Sequence, residues 1–204
     1  MLGVIFSTPN EAAPFVERYA GDRLGELEEG SHLQTEAVVA TVVGPGKIKA
    51  TLGTERLLHE HNIDTLVHAG GAVALTDELE VGTVVGAAFV LEGDRVELEA
   101  PDYPRMPLDP PFDLDTEGTL VSQDHVRADD ADELSYWERI ADMRDATGYA
   151  VAYVAAQHGT SCHIAKGITG HAREDGDAAA DRREAHRAVA AFLQRHVEAD
   201  TPES

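Results

Sequence analysis

Residues 143–175, MRDATGYAVAYVAAQHGTSCHIAKGITGHARED, constrain the fold more than any other part of the chain. They read as a strand end, a glycine corner, a helix, a glycine break, a second strand and a polar loop. Asp145-Ala146-Thr147-Gly148 is the first corner. Residues 149–157 are small and apolar on nearly every side, which suits a helix pressed flat against a sheet. Gly159 supplies its C-terminal stop. Residues 162–168 give a short apolar run, interrupted by His163 and Lys166 and ending at Thr169-Gly170. In open α/β sheets, ligands bind beyond the carboxyl ends of the strands. The corners at 145–148 and 169–175 are therefore where chemistry is expected.

The remaining sequence repeats this alternation. Residues 2–7 form an apolar run typical of a parallel strand, ended by Thr8-Pro9-Asn10. A helix follows over about 11–19, with Asn10 as its expected N-cap and Glu11 in its first turn. A carboxylate there complements the helix dipole whatever else it does. Residues 21–31 read as a loop and 35–43 as a strand, which Gly44-Pro45-Gly46-Lys47 turns into a helix through about His61. A strand at 65–68 enters Ala69-Gly70-Gly71-Ala72, read as a loop, and His68 just before it reads as a structural histidine. Residues 80–85 begin the next strand, 89–99 form another, and 101–111 are too proline-dense for regular structure. A strand over 118–122 runs into Gln123-Asp124-His125-Val126. The acidic segment 128–138 is expected to be a short helix or a mobile flap, with Trp137 packing it down. A last helix over 177–197 carries Val189, Phe192, Leu193 and Val197 on one stripe. The fold expected is a three-layer α/β/α domain with a central mixed sheet over residues 1–198, followed by a frayed tail at 199–204.

Charge excludes some partners. Sixteen basic against thirty-eight acidic residues give a net charge of −22, and only Lys47, Lys49 and Lys166 are lysines. Nucleic-acid binding needs Lys and Arg against phosphates, so no nucleic-acid partner is expected. High acid with scarce lysine is the pattern of a halophilic protein, whose acidic surface is relieved when salt screens it, and also fits an acidic mesophilic one. No long apolar run suggests a membrane span. The one cysteine, Cys162, leaves no disulfide framework, so a reducing cytoplasm is the expected setting. The ten histidines show no metal-ligand spacing, and no cofactor motif is present, so neither metal nor cofactor is expected.

The corner residues Asp145 and Gly148-Tyr149-Ala150-Val151-Ala152, followed by Lys166-Gly167-Ile168-Thr169, resemble the purine nucleosidase and nucleoside phosphorylase superfamily. The similarity is greatest to the methylthioadenosine/S-adenosylhomocysteine nucleosidases. Gly44-Pro45-Gly46-Lys47 resembles that family's Gly-x-Gly-Lys turn, and Glu80-Val81-Gly82-Thr83-Val84-Val85 resembles its Val-Gly-Asp-Ile-Val-Val strand start. By this resemblance Glu11 takes the place of the glutamate that activates the attacking water. Gly46, Gly70, Gly71 and Ala72 border the ribose and base, and His125 and Val126 fall near the base-contacting backbone. Asp145, Ala146 and Thr147 occupy the ribose corner, where the family has Met and Glu at the last two places. Gly170 stands where the family has the aspartate that protonates the departing purine.

What the resemblance implies is hydrolysis of the N-glycosidic bond of a purine nucleoside or related small molecule. Glu11 is the implied base, and the acid is displaced to His171, Glu174 or Asp175. A homodimer or higher homo-oligomer is also implied. Phosphorolysis is less favoured, because neither glycine segment carries an arginine to hold phosphate. The altered Thr147 and Gly170 equally fit a nucleoside-binding protein of the same fold that no longer cleaves its ligand.

Overall fold

Strands that are apolar on both faces need cover on both faces, and five helices supply it. The computed structural model describes residues 1–20, 27–94, 104–108, 114, 116–124, 131–173 and 179–199. The first half of the chain runs β1 (Leu2–Phe6), α1 (Pro9–Ala20), β2 (His32–Gln34), β3 (Val38–Val42), α2 (Lys47–Glu60), β4 (Thr65–Ala74) and β5 (Val84–Glu92). The second half runs β6 (Arg105–Pro107), β7 (Glu117–Ser122), α3 (Ala131–Trp137), β8 (Met143–Asp145), α4 (Gly148–His158), β9 (Ser161–His171) and α5 (Ala179–Ala199).

The sheet order is β2-β3-β1-β4-β8-β7-β5-β6, with β9 pairing both β4 and β5. β9 is parallel to β4 and antiparallel to β5, so the sheet is mixed. Strands β4, β9, β5, β7 and β8 thereby close into a ring. Along one edge of β4, β1 pairs with residues 65–68 and β8 pairs only with Val73 and Ala74. Residues 69–72 between them have no strand on that edge. The gap opens at the carboxyl end of β1, and the candidate site occupies it.

Ala50 and Leu57 of α2 and Val151 and Ala155 of α4 pack on one face of the sheet, against Ile5, Leu66 and Ile164. Phe15 of α1 and Val189, Phe192, Leu193 and Val197 of α5 pack on the other, against Val4, Val67 and Ala165. Each of the larger side chains buried in this way contributes about 1.5–3 kcal/mol. The expected three-layer α/β/α arrangement with a mixed sheet is therefore the observed one. Among the described residues no helix is long and apolar enough to cross a membrane.

Several local expectations need correction. Asn10 lies inside α1, not at its cap: Pro9 opens the helix, and Thr8 precedes it. The strand expected over 35–43 is shorter, β3 (Val38–Val42), because residues 35–37 form the turn that leads into it from the additional short strand β2. Residues 84–92 form one strand, where two were expected; 95–100 lie outside the described residues. In the proline-dense segment, β6 pairs antiparallel with β5 at the sheet's edge, a position where proline's missing N–H costs no ladder bond. Ala69-Gly70-Gly71-Ala72 is part of β4, not a loop, because β9 pairs along its whole length. For the same reason β9 continues through Gly170 and His171, which were expected in a loop. Residues 128–130, Glu174, Asp175 and the tail from 200 lie outside the described residues.

Candidate active site

Glu11 owes its position to a reciprocal helix cap. Thr8-Pro9-Asn10-Glu11 has a hydroxyl at the cap, proline at the first helical position and a carboxylate three residues after the cap. Oε2 of Glu11 accepts from the N–H groups of Ser7 (2.9 Å) and Thr8 (2.8 Å). Oε1 accepts from the N–H of Gly71 (2.9 Å), on the stretch of β4 whose edge away from β9 is open. A carboxylate offers about four lone-pair positions. Three are occupied by backbone donors, which fix the group and leave room for one further proton or donor.

Glycine at 70 and 71 is what lets the carboxylate come this close. A Cβ on Gly70 would stand 2.6 Å from Oε1 of Glu11. A Cβ on Gly71 would stand 2.8 Å from Cγ2 of Thr169 and 3.2 Å from Nε2 of His186. Glu11 and His186 therefore approach the same short piece of backbone from α1 and α5.

The corner after β8 is organised by Asp145, whose side chain is only 4% exposed. Its Oδ1 accepts from Oγ of Ser122 (2.6 Å) and from the N–H of Gly148 (3.1 Å), and Oδ2 meets Nζ of Lys166 at 2.8 Å. Burial pushes this carboxyl up, but the Lys166 charge and the His68 and Lys166 contacts outweigh it and hold it well below the usual carboxylate range. Lys166 and His68 are both fully buried, and Nζ lies 2.8 Å from Nε2 of His68. Burial lowers the His68 pKa, and the Lys166 charge lowers it further, against the opposing pull of Asp145 and the Ile5 carbonyl. His68 is accordingly neutral. Nδ1–H donates to the Ile5 carbonyl (3.1 Å), and Nε2 accepts, a tautomer assigned from its neighbours.

Thr147 completes the corner. Its hydroxyl lies 2.8 Å from Oγ of Ser7 and 2.9 Å from Nε2 of His68, so the ends of β1 and β8 are tied to the middle of β4 by one buried polar chain. In the Gly44–Lys47 turn, Gly44 (φ 92°) and Gly46 (φ 91°) adopt the left-handed conformations that glycine permits. Burial lowers the Lys47 pKa, but hydrogen bonds to Asp94 and Glu92 raise it above its ordinary value. With Asp124 at 3.8 Å as well, its charge is matched by carboxylates and is not directed at a ligand.

A cavity of about 750 Å³ fills the gap between β1 and β8. Glu11, Gly71, Ala72, Asp145, Ala146 and Thr147 all line it. Gly46 is not on the wall, its neighbour Pro45 is; Gly70 backs Glu11 from behind. Gly170 and His171, at the end of β9, are not on the wall either, whereas Thr169 is. His125 and Val126 lie outside the described residues. Ser7, Arg144 and, from α5, Arg182, Arg183, His186 and Arg187 also line the cavity, and none stands out in the sequence as a site residue. A signal is nonetheless present: residues 179, 182/183 and 186/187 recur at helical spacing, one turn apart. Lys166, an isolated lysine in an apolar run, is a second one. Among the described residues no group of His, Cys, Asp and Glu is arranged to hold a metal ion.

The family model described as the phosphorylase superfamily matches residues 2–199. No curated protein sequence matches the chain. Solved structures do. A futalosine hydrolase mutant from Helicobacter pylori superposes with a TM-score of 0.83 at 17% identity, covering 97% of this chain and 98% of that one. An MTAN mutant from the same organism, with 5'-methylthioadenosine in its active site, gives 0.80 at 18% identity over 97% and 98%. The 5'-methylthioadenosine/S-adenosylhomocysteine nucleosidase of Neisseria meningitidis gives 0.79 at 19% identity over 97% and 98%.

Proposed function

The chain belongs to the phosphorylase superfamily, and from that premise we propose that it hydrolyses the N-glycosidic bond of a purine nucleoside or a close relative. The observation that carries the reading is Glu11, a carboxylate held by three backbone N–H groups on the wall of a cavity large enough for a nucleoside. One of its lone pairs takes a proton from water, and the water oxygen adds to the anomeric carbon. The carbon–nitrogen bond breaks, its electron pair leaves with the purine, and a wall acid protonates the departing nitrogen. His186 is that acid: it is buried on the cavity wall beside Gly71 and Thr169, facing the same backbone as Glu11. A positioned acid or base of this kind contributes about 10²–10⁴-fold. The ionised Asp145 lends negative charge beside the cationic sugar of the transition state, and Thr147 and Ser7 provide hydroxyls for the ribose corner.

The same fold is used by the nucleosidases named above, which is why hydrolysis is preferred. Phosphorolysis would need a cation at the floor beside the anomeric carbon, and Lys47 is already matched by carboxylates. The alternative is a binding protein of this fold without catalysis. It is favoured by Thr147, whose hydroxyl is already engaged by Ser7 and His68. A base-release assay over a panel of nucleosides in high KCl, with the sugar product identified, separates the three. Free sugar indicates hydrolysis, a sugar phosphate indicates phosphorolysis, and binding without release indicates the non-catalytic protein.

A further inference from the structure

The cavity wall has the opposite charge balance to the rest of the molecule. The whole chain carries thirty-eight acidic residues against sixteen basic ones, yet four arginines (Arg144, Arg182, Arg183 and Arg187) line this one cavity. Among the described residues three carboxylates, Glu11, Glu17 and Asp145, line it with them, and Asp145 is already paired with Lys166. Arg144 and Arg182 are engaged by other contacts. Arg183 and Arg187 are different: among the described residues neither forms a hydrogen bond or an ion pair. They stand one helical turn apart, a spacing at which like charges repel. A chain this acidic has abundant carboxylates to neutralise such a pair, and it uses none of the described ones.

Position within the cavity narrows what the pair holds. Thr147 and Ala72 at the floor are 1% and 3% exposed, whereas Arg183 and Arg187 are exposed at the rim. An anion that attacks the sugar must touch the anomeric carbon, so its site would lie on the floor with Glu11. An anion at the rim is one attached to the far part of a ligand whose reacting bond lies below.

Resting on the hydrolase reading above, we infer that the ligand of this site is a nucleoside derivative bearing an anionic substituent, a phosphate or a carboxylate, gripped at the cavity mouth by Arg183 and Arg187. The two guanidinium groups reach the oxyanion with paired N–H donors, the geometry to which arginine is suited. Because the pair is exposed, the attraction weakens as salt rises but persists through the directed hydrogen bonds.

The test is a binding measurement at fixed ionic strength, independent of turnover. Affinities of adenosine, adenosine 5'-monophosphate and a nucleoside 5'-carboxylate are measured by calorimetry for the wild type, Arg183→Gln, Arg187→Gln and the double variant. Glutamine keeps part of the aliphatic stem, and thermal melts check that each variant folds. At least one anionic nucleoside should bind about 10–100-fold more tightly than adenosine, each tenfold corresponding to one charge-assisted contact of about 1.4 kcal/mol. That advantage should vanish in the double variant, with adenosine binding unchanged. Equal affinity for charged and neutral nucleosides, or an equal loss for both in the variants, overturns the inference. So does inorganic phosphate that is consumed in cleavage with the same arginine dependence, since the anion is then a free reactant. The two readings fail separately. Arginine-dependent binding without base release leaves the ligand class standing and removes hydrolysis, whereas efficient release from neutral nucleosides with no arginine dependence does the reverse.

Discussion

Replacing Lys166 with methionine removes one member of a buried ion pair and leaves the other in place. Lys166 is fully buried, its Nζ is 2.8 Å from Oδ2 of Asp145, and Asp145 is 4% exposed. Methionine fills much of the volume, so the loss is one of charge more than of packing. Removing a single partner of a buried pair costs about 3–5 kcal/mol, because the remaining charge has neither water nor a counter-ion. For a chain of this size each kcal/mol moves the melting midpoint by about 2–4 °C, so Lys166→Met should melt about 6–20 °C below the wild type. The pH dependence identifies the cause. In the wild type Asp145 is held below its ordinary pKa, so its contribution is present at neutral pH and is lost as pH falls through the folded value. In the variant the largest opposing charge is gone and that pKa rises, so the penalty is largest at neutral pH and shrinks on acidification. Denaturant titrations at pH 7.5 and 4.5 measure this, and Lys166→Met/Asp145→Asn should recover much of the loss. A single-variant cost below about 1 kcal/mol, or one that is the same at both pH values, would refute the assignment of Asp145 as an ionised group sustained by Lys166.

Gly70→Ala should push Glu11 off its backbone donors, because the new Cβ would lie 2.6 Å from Oε1. Overpacking of this kind costs about 1–3 kcal/mol, and base release should fall about 10²–10⁴-fold; unchanged turnover would show that the carboxylate's placement is immaterial. Stability should rise from low to molar KCl as the charge of −22 is screened, and a flat or falling melting midpoint would contradict this. His68 is held neutral, its pKa lowered from the ordinary histidine value of 6.5, so its contribution is complete above that pH and is lost as pH falls towards the folded value. Its share of the slope is at most about 1.4 kcal/mol per pH unit. Wild type should therefore lose more stability between pH 7.5 and 5.5 than His68→Gln, and equal losses would mean that His68 does not titrate in this way.

The layers and the order of strands and helices were legible because fully buried parallel strands write themselves as continuous apolar runs, as in Leu2–Phe6 and Val38–Val42. The glycine corner at Gly148 and the stop at Gly159 were legible from backbone chemistry alone, and Gly159 does adopt the left-handed conformation (φ 69°). Gly70-Gly71 misled for an instructive reason. Paired glycines usually mark a turn, but here they sit in a strand and make space for Glu11 and His186. Glu11 could be singled out only through the family resemblance, since its position alone reads as a carboxylate complementing the helix dipole, and its cap with Thr8 was hidden because Asn10 looked like the capping residue. His186 could not, since it reaches the site only when α5 folds back across β4 and β9, 115 positions after Gly71 in the sequence. Lys166 was equally opaque: strand alternation says that a residue is buried, but not which carboxylate, from which corner, will meet it.

The most direct test of the central claim is base release from nucleosides and nucleotides in high KCl by the wild type and by Glu11→Gln. Glutamine retains an oxygen acceptor for the cap but is no base. The account predicts measurable release by the wild type and a fall of about 10²–10⁴-fold in the variant, which should still melt cooperatively but at a lower midpoint, because its amide nitrogen faces a backbone N–H that the carboxylate accepted from. Release at the same rate by both proteins, or ligand binding with no release by either, would contradict it.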